Sequence, residues 1–343
     1  MIRRWLSAGR KLHYNMGLKT GELSPVFFSS WHYTRESTLD KRMTKPEPRP
    51  RICDYEGSNY RTEFWENRGR NYEDRVERIA LQKLLPAKGK RLLEIGAGFG
   101  RLTNEYKNFE QVVVLDYSLS QLQYAQETLG RDPRYIYVAA DAYKLPFRPG
   151  VFDAATMVRV IHHMASVRTV LAQIRRVLAP NSTFILEHAN KRNLKAMLRY
   201  ALRKQTWDPN AFEPVEFVEL NFDFHPEYIR QELQAAGFTV QQRIPVSFFR
   251  LGLLKKSVSV NLLVKLDSLL QKTGWLAAPS IFTRSGTIGT SVNNLGLSAI
   301  FACPECGGDL ERAGNEMVCR KDGHRWAVRD GIYDFKATAD NDD

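Results

Sequence analysis

Cysteine is scarce in this chain of 343 residues: there are four, and three of them fall between positions 303 and 324. That argues against a disulfide framework and for a reducing compartment, with the cluster read as metal ligands. Long apolar runs are also missing. No stretch approaches the roughly 18–20 apolar residues that cross a bilayer. The start, "MIRRWLSAGRKLHYNMG", is basic and has no apolar core. The expectation is a cytoplasmic protein with no secretory signal and no transmembrane segment. No Gly-Lys-Ser/Thr follows a glycine turn, so a P-loop is excluded.

Acidic residues are few at the N-terminus. Residues 1–51 hold eleven Lys/Arg against four Asp/Glu, so +7 of the net +12 lies there and only +5 on the rest. The basic charge therefore belongs to an arm and says little about the body. The arm ends in "KPEPRPR", which favours an extended, poorly ordered segment over residues 1–51.

The length allows one large domain and a smaller one. From Asn59 to Leu85 the apolar period is helical, with Val76, Ile79, Ala80 and Leu84 on one face. "RLLEIG" and "QVVVLD" are continuous apolar runs, as strands covered on both faces are. "SLSQLQYAQETLG" reads as a helix capped by Ser118 and closed by Gly130. Further strands are expected in "RYIYVAAD", "FDAATMV" and "PNSTFILE", with a helix from about 165 to 178. This alternation predicts a doubly wound, mostly parallel α/β sheet over residues 52–284. Residues 191–224 interrupt it as an insertion. His225 starts a helix at Pro226. "SVSVNLLVKLDSLLQK" is expected to line Leu262, Leu263, Leu266, Leu269 and Leu270 along one side. Residues 285–299 are small and Gly-rich, as a flexible linker is, and residues 337–343 are a disordered tail.

"LLEIGAGFGR" places Gly96, Gly98 and Gly100 directly after a strand. Glycine there lets a ligand approach main-chain N–H groups. A dinucleotide site would put its third glycine where Arg101 stands, which disfavours a pyrophosphate cradle. Asp116 ends the second strand, twenty residues after Gly96, where a carboxylate can accept both hydroxyls of a ribose. Asp141 ends the third strand and can accept from an adenine amino group. With Glu94, these carboxylates suit a cofactor that is cationic and lacks phosphate; S-adenosylmethionine fits.

"LLEIGAGFG", "VLDYS", "ADAYKLPF", "FDAATMVRVIHHM" and "IRRVLAPNSTFIL" stand in the order found in class I S-adenosylmethionine-dependent methyltransferases, and the chain resembles that family over residues 59–285. The branch it is most similar to includes the ubiquinone and menaquinone methyltransferases. The resemblance implies a Rossmann-like seven-stranded sheet. It implies that Glu94, Gly96, Gly98 and Gly100 hold the methionine end, with Asp116 on the ribose and Tyr117 against the adenine. Asp141 and Ala142 would hold the adenine edge, and Arg159 would lie beside the transferred methyl. A long cation there departs from the family and could reach towards an anionic substrate. A covering helix would use Tyr60, Trp65, Arg68 and Tyr72, or these aromatics simply pack. His162, His163 and His188 are candidate bases, and structural roles are the alternative. The chain lacks the Asn-Pro-Pro-Tyr or Asp-Pro-Pro-Tyr of many amino-methylating enzymes of nucleic acids. A small-molecule, lipid or quinone-like acceptor is the expected substrate class, with RNA or a translation factor as the alternative. Residues 191–204 read as an amphipathic helix whose basic face leaves open a peripheral membrane or RNA contact, or mere solvation.

Cys303, Cys306, Cys319 and His324 are spaced C-x2-C-x12-C-x4-H. Thiolates and an imidazole in a closed set predict a structural, tetrahedral Zn²⁺ site. Asp322 could replace His324. Residues 300–336 thus form a zinc ribbon, and "CPECGGDL" and "VRDGIYDF" resemble the small zinc-ribbon proteins that activate methyltransferases. Whether this ribbon docks on the sheet or swings on its linker stays open in the sequence.

Overall fold

The protein, seen here as a computed structural model, is described at residues 50–58, 61–65, 69–288 and 300–339. Residues 1–49 of the N-terminal arm, Tyr60, Arg68, most of the expected linker and the last four residues lie outside that range. One helical turn, Arg61–Trp65, precedes α1 (Asn71–Leu84). Then come β1 (Gly89–Ile95), β2 (Phe109–Asp116), α2 (Leu119–Leu129), β3 (Tyr135–Ala139) and β4 (Phe152–Met157). They are followed by α3 (Val167–Val177), β5 (Leu178–Ala189), α4 (Leu194–Ala201) and a hairpin of β6 (Val215–Val218) and β7 (Asn221–Asp223). The second half holds α5 (Pro226–Ala235), β8 (Phe238–Val246), α6 (Gly252–Ser257), α7 (Val260–Leu270) and β9 (Ser280–Thr287).

The local chemistry accounts for these elements. Along α3, Val167, Val170, Leu171, Ile174 and Val177 are all buried at helical spacing. Ser118 Oγ accepts from Gln121 N at 3.3 Å and Gly130 closes α2 at φ +83°. His225 Nδ1 accepts from Glu227 N at 3.2 Å, with Pro226 in the first turn of α5.

The sheet order β3-β2-β1-β4-β5-β9-β8 is that of a doubly wound methyltransferase fold, with β9 antiparallel to both neighbours. Strand order reverses between β1 and β4, which opens a crevice at their C-terminal ends. Two expectations need correction. Residues 285–287 belong to β9 rather than to a linker: Ser285 pairs with Phe184 and Gly286 with Thr183. Their small side chains fit a tight packing, since a Cβ on Gly286 would lie 2.4 Å from Gln241 Nε2. On α7 the leucines split: Leu263 faces in beside Val264 and Asp267, while Leu262, Leu266 and Leu269 face out. The buried Asp267 carboxylate sets that rotation by accepting from Tyr72 OH at 2.6 Å and Phe248 N at 2.8 Å.

The C-terminal ribbon consists of β10 (Leu310–Ala313), β11 (Glu316–Cys319), β12 (Arg325–Arg329) and β13 (Ile332–Asp334). It docks. β13 pairs in parallel with β3, Ile332 opposite Tyr137 and Asp334 opposite Ala139, so the sheet continues through the ribbon to eleven strands. Phe335 N extends the ladder to Ala139 O at 2.7 Å, and Arg148 N and Ala302 N bond Ile300 O and Pro146 O across the junction. Phe301 stacks on Phe147 at 5.7 Å, and both are buried. Ile300, Phe301, Leu310, Trp326 and Phe335 share one core with Leu93, Ile136 and Phe152. Each such side chain contributes roughly 1.5–3 kcal/mol on burial. The open edge of β3 is thereby covered, which removes a site for unwanted pairing.

Candidate functional site

The crevice holds a cavity of about 780 Å³ whose lining includes Gly96, Gly98, Asp116, Tyr117, Asp141 and Ala142. Asp116 Oδ2 accepts from Gly98 N at 2.7 Å and its Oδ1 from Ser118 N at 2.9 Å, tying the glycine loop to the end of β2. Burial raises the Asp116 pKa, against these N–H groups. Asp141 Oδ1 accepts from Tyr143 N at 2.8 Å. Gly98 has φ +54° and open space where a Cβ would stand, so the backbone is bare towards a ligand. Gly96, at φ +69°, makes room for Val160: a Cβ would come within 2.1 Å of its Cγ2.

A second lobe of about 450 Å³ lies beyond the loop, against Trp65, Glu94, Ala97, Arg101 and Arg159. Glu94 is buried, accepts from Thr103 Oγ1 at 2.5 Å and Tyr106 OH at 3.2 Å, and burial pushes it up to about 7. Trp65 lies under Arg101 at 3.8 Å and Arg159 at 5.1 Å. Arg159, at φ +61°, donates from its backbone to Glu187 at 2.8 Å and from its guanidinium to Glu77 at 2.5 and 3.0 Å. Burial alone would raise Glu77, but Arg159 and Arg101 outweigh it and hold the carboxyl down to about 2. The Arg159 guanidinium is thus paired with Glu77 while its side chain lines all three lobes.

A third lobe of about 770 Å³ adjoins these, lined by Tyr55, Ser58, Glu63, Arg159, His162, His163 and Asn221. His163 Nδ1 lies 2.8 Å from Leu220 O, which assigns the proton to Nδ1 and leaves Nε2 to accept from Tyr55 OH at 3.2 Å. Burial lowers both His162 and His163, so each ring is neutral at pH 7.

Three expected site residues fall elsewhere. Tyr72 is fully buried, its hydroxyl bonded to Asp267, and it does not line the cavity. His188 is fully buried in β5, its neighbour Glu187 taking the cleft-side contact with Arg159; burial and then Arg243 push it down to about 3. Alternation along a strand puts the two on opposite faces. Gly100 serves packing: a Cβ would meet Leu129 Cδ1 at 2.9 Å and Ala125 Cβ at 3.3 Å on α2. The sequence reading missed the strap before α1, where Ile52, Cys53 and Tyr55 line the main cavity. That strap has no periodicity to reveal it.

Cys303, Cys306, Cys319 and His324 converge, with all donor atoms within 4.8 Å of one another. Cys306 and Cys319 sulfurs are 3.4 Å apart, and Cys303 Sγ is 3.6 Å from His324 Nδ1. A tetrahedron with Zn–S of about 2.3 Å sets such edges at about 3.8 Å, so the donor set fits Zn²⁺. Gly308 N donates to Cys306 Sγ at 3.4 Å, and a Cβ there would crowd Cys319 Sγ at 3.1 Å. Asp322 stands outside this set.

The ribbon also contacts one residue of the main cavity's lining, Tyr117. Just after β13, Lys336 Nζ sits 5.3 Å from the Tyr117 ring centre and 3.8 Å from Glu56. Glu56 in turn accepts from Leu119 N at 2.7 Å and Ser120 N at 3.0 Å, capping α2.

Residues 93–186 match the family described as "Methyltransferase domain", and residues 294–331 match "Trm112p-like protein". An O-methyltransferase of Penicillium expansum is 30% identical over 39% of this chain and 52% of its own length. The chain spans about half the length of the first such relatives. The ubiquinone/menaquinone biosynthesis C-methyltransferase of Pseudomonas savastanoi pv. phaseolicola is 30% identical over 47% of this chain and 70% of its own. A solved complex between the Haloferax volcanii Trm112 methyltransferase activator and a methyltransferase aligns with TM-score 0.47 and 15% identity, covering 65% of this chain and 95% of that one. The chain belongs to the class I S-adenosylmethionine-dependent methyltransferases, with a Trm112-like domain at its C-terminal side.

Proposed function

We propose that the protein methylates a small-molecule, lipid or quinone-like acceptor, and that its zinc ribbon forms part of the cofactor site. The carrying observation is the partly open third lobe next to the acid-lined cavity, lined by the strap residue Tyr55 and the β7 residue Asn221. A concave lobe beside the cofactor cleft suits a compact molecule. The relative named for C-methylation in ubiquinone and menaquinone biosynthesis agrees with this reading.

S-adenosylmethionine, when bound, supplies a methyl group activated by its sulfonium. Asp116 would accept from the ribose, Tyr117 would lie on the adenine, and Asp141 and Ala142 would hold its edge. Glu94 would receive the ammonium group. Trp65, pinned by Arg101 and Arg159, closes the methionine end against water. The acceptor atom needs alignment, which the walls of the third lobe provide. Where the acceptor must lose a proton, Tyr55 can pass one to His163 Nε2, which burial keeps unprotonated and free to accept. The four ligands of the ribbon would hold Zn²⁺ as a structural ion.

The Glu94 environment gives a pH dependence. Its ionised form attracts an ammonium, and in the cofactor-free protein it protonates as pH falls through about 7. Affinity for the cofactor is expected to drop about tenfold per pH unit below that point. Calorimetry across pH checks this, and Glu94→Gln should flatten the profile.

The acceptor class is tested by incubating the protein with methyl-labelled cofactor and fractionated lipid, small-metabolite and RNA extracts. Label in the lipid or metabolite fraction is expected. Label in RNA or in a translation factor would replace this reading with one in which the ribbon acts as a built-in activator for a macromolecular substrate.

A further inference from the structure

Two helices turn apolar side chains outward, and no described residue covers them. On α4, Leu194, Leu198 and Leu202 follow at i, i+4 and i+8 and are 51%, 58% and 55% exposed. Lys195, Arg199 and Arg203 form the adjoining stripe. The helix is anchored from beneath by Ala196, which is buried, and by Asn193 Oδ1 accepting from Ala196 N at 2.9 Å. The leucine face of this amphipathic helix is thus turned to solvent. On α7, Leu262, Leu266 and Leu269 repeat the pattern, with Leu269 59% exposed.

The two stripes are linked through the chain. α7 runs into the turn bearing Trp275, which is 51% exposed and stacked on Phe248 at 5.8 Å. Two residues later, Ala277 O accepts from Leu194 N at 2.8 Å. Charge follows the same surface. Of residues 191–204, Arg192, Lys195, Arg199, Arg203 and Lys204 are exposed and none is acidic; of residues 250–272, Lys256, Lys265 and Lys272 are exposed and the single acid is Asp267. That acid is buried and bonded to Tyr72. Lys265 and Lys272 are exposed beside the α7 leucines.

We propose that this band seats the protein on an anionic lipid bilayer. The leucines and Trp275 enter the boundary between headgroups and acyl chains, and the lysines and arginines lie at the lipid phosphates. Apolar side chains in such a band have no counterpart on an RNA strand, which would engage the cations and leave the leucines in water. A second copy in an isologous dimer would set the same cations against themselves. The surface lies outside the cofactor cleft, and the proposal holds whatever the acceptor is.

The test is flotation of the full chain with phosphatidylcholine vesicles, with and without phosphatidylglycerol. Binding is expected only with phosphatidylglycerol and is expected to weaken in high salt. Leu198→Asp with Leu269→Asp should lower partitioning more than about tenfold. Lys195→Gln and Arg199→Gln should each lower it about fivefold. Circular dichroism and cofactor affinity should stay unchanged, since these positions are exposed and outside the cleft. Absence of flotation by the wild type, or flotation indifferent to these variants, overturns the proposal. So does a wild-type dimer that the leucine variant dissociates, or retention of RNA through the same lysines without vesicle binding.

Discussion

Serine at both Cys303 and Cys306 is expected to unfold the ribbon and to expose the edge of the catalytic sheet. The ribbon is small, and metal binding in comparable peptides is worth on the order of 10–16 kcal/mol, which is folding free energy for such a module. Its apolar side chains pack into the core shared with the sheet, and the metal is the constraint that brings the 303–306 knuckle to Cys319 and His324. The consequence does not stop at the ribbon. Ile300, Phe301, Trp326 and Phe335 share a core with Ile136, Phe147 and Phe152. Their release would uncover β3 and Phe147 together. Amide exchange should therefore accelerate in residues 135–139 and 332–334 in the variant, along with loss of one Zn per chain. Unchanged protection of residues 135–139 would show that β13 merely lies against the sheet without supporting it.

Asp116→Ala is expected to weaken cofactor binding by roughly a hundredfold. A carboxylate that takes two ribose hydroxyls contributes about 1.5–3 kcal/mol for each charge-assisted bond. Asp116 also shapes the protein around the ligand. It accepts from Gly98 N and Ser118 N, fixing the loop to the start of α2. The alanine variant loses both the ligand contact and the loop anchor. Asp116→Asn keeps one acceptor oxygen and should retain part of the affinity. Calorimetric titration of the three proteins checks the order wild type, asparagine, alanine; equal affinities would remove Asp116 from the site.

The parallel sheet was legible because its signals are local. Continuous apolar runs in β2 and β4, the Ser118 cap and the Gly130 stop each need only their neighbours in sequence. The glycine loop was legible for the same reason, as was the metal set, since a Cys-x-x-Cys knuckle is a short-range feature. What escaped depends on tertiary pairing. The small residues 285–287 resemble a linker until Gly286 is seen against Gln241. Tyr72 looks like a lid residue until Asp267, far along the chain, claims its hydroxyl. His188 sits one residue from a cleft contact, and only strand alternation carries it to the other face. The docking of the ribbon rests on Ile332 finding the edge of β3, a partner far away in sequence.

The same long-range pairing brings the ribbon against Tyr117, a residue of the main cavity's lining. Lys336 leaves β13 to lie over Tyr117 and beside Glu56, which caps α2. Coupling between distant sites of this kind commonly amounts to about 5–150-fold in affinity. The most direct measurement is titration calorimetry of S-adenosylmethionine into the zinc-loaded full chain, into the same chain after metal removal, and into Lys336→Ala. The expected result is one site per chain in the loaded protein, with affinity reduced at least about fivefold by metal removal and reduced in the same direction by Lys336→Ala. No binding to the loaded chain, or equal affinity with and without the metal, would contradict a cofactor site built jointly by the catalytic sheet and its ribbon.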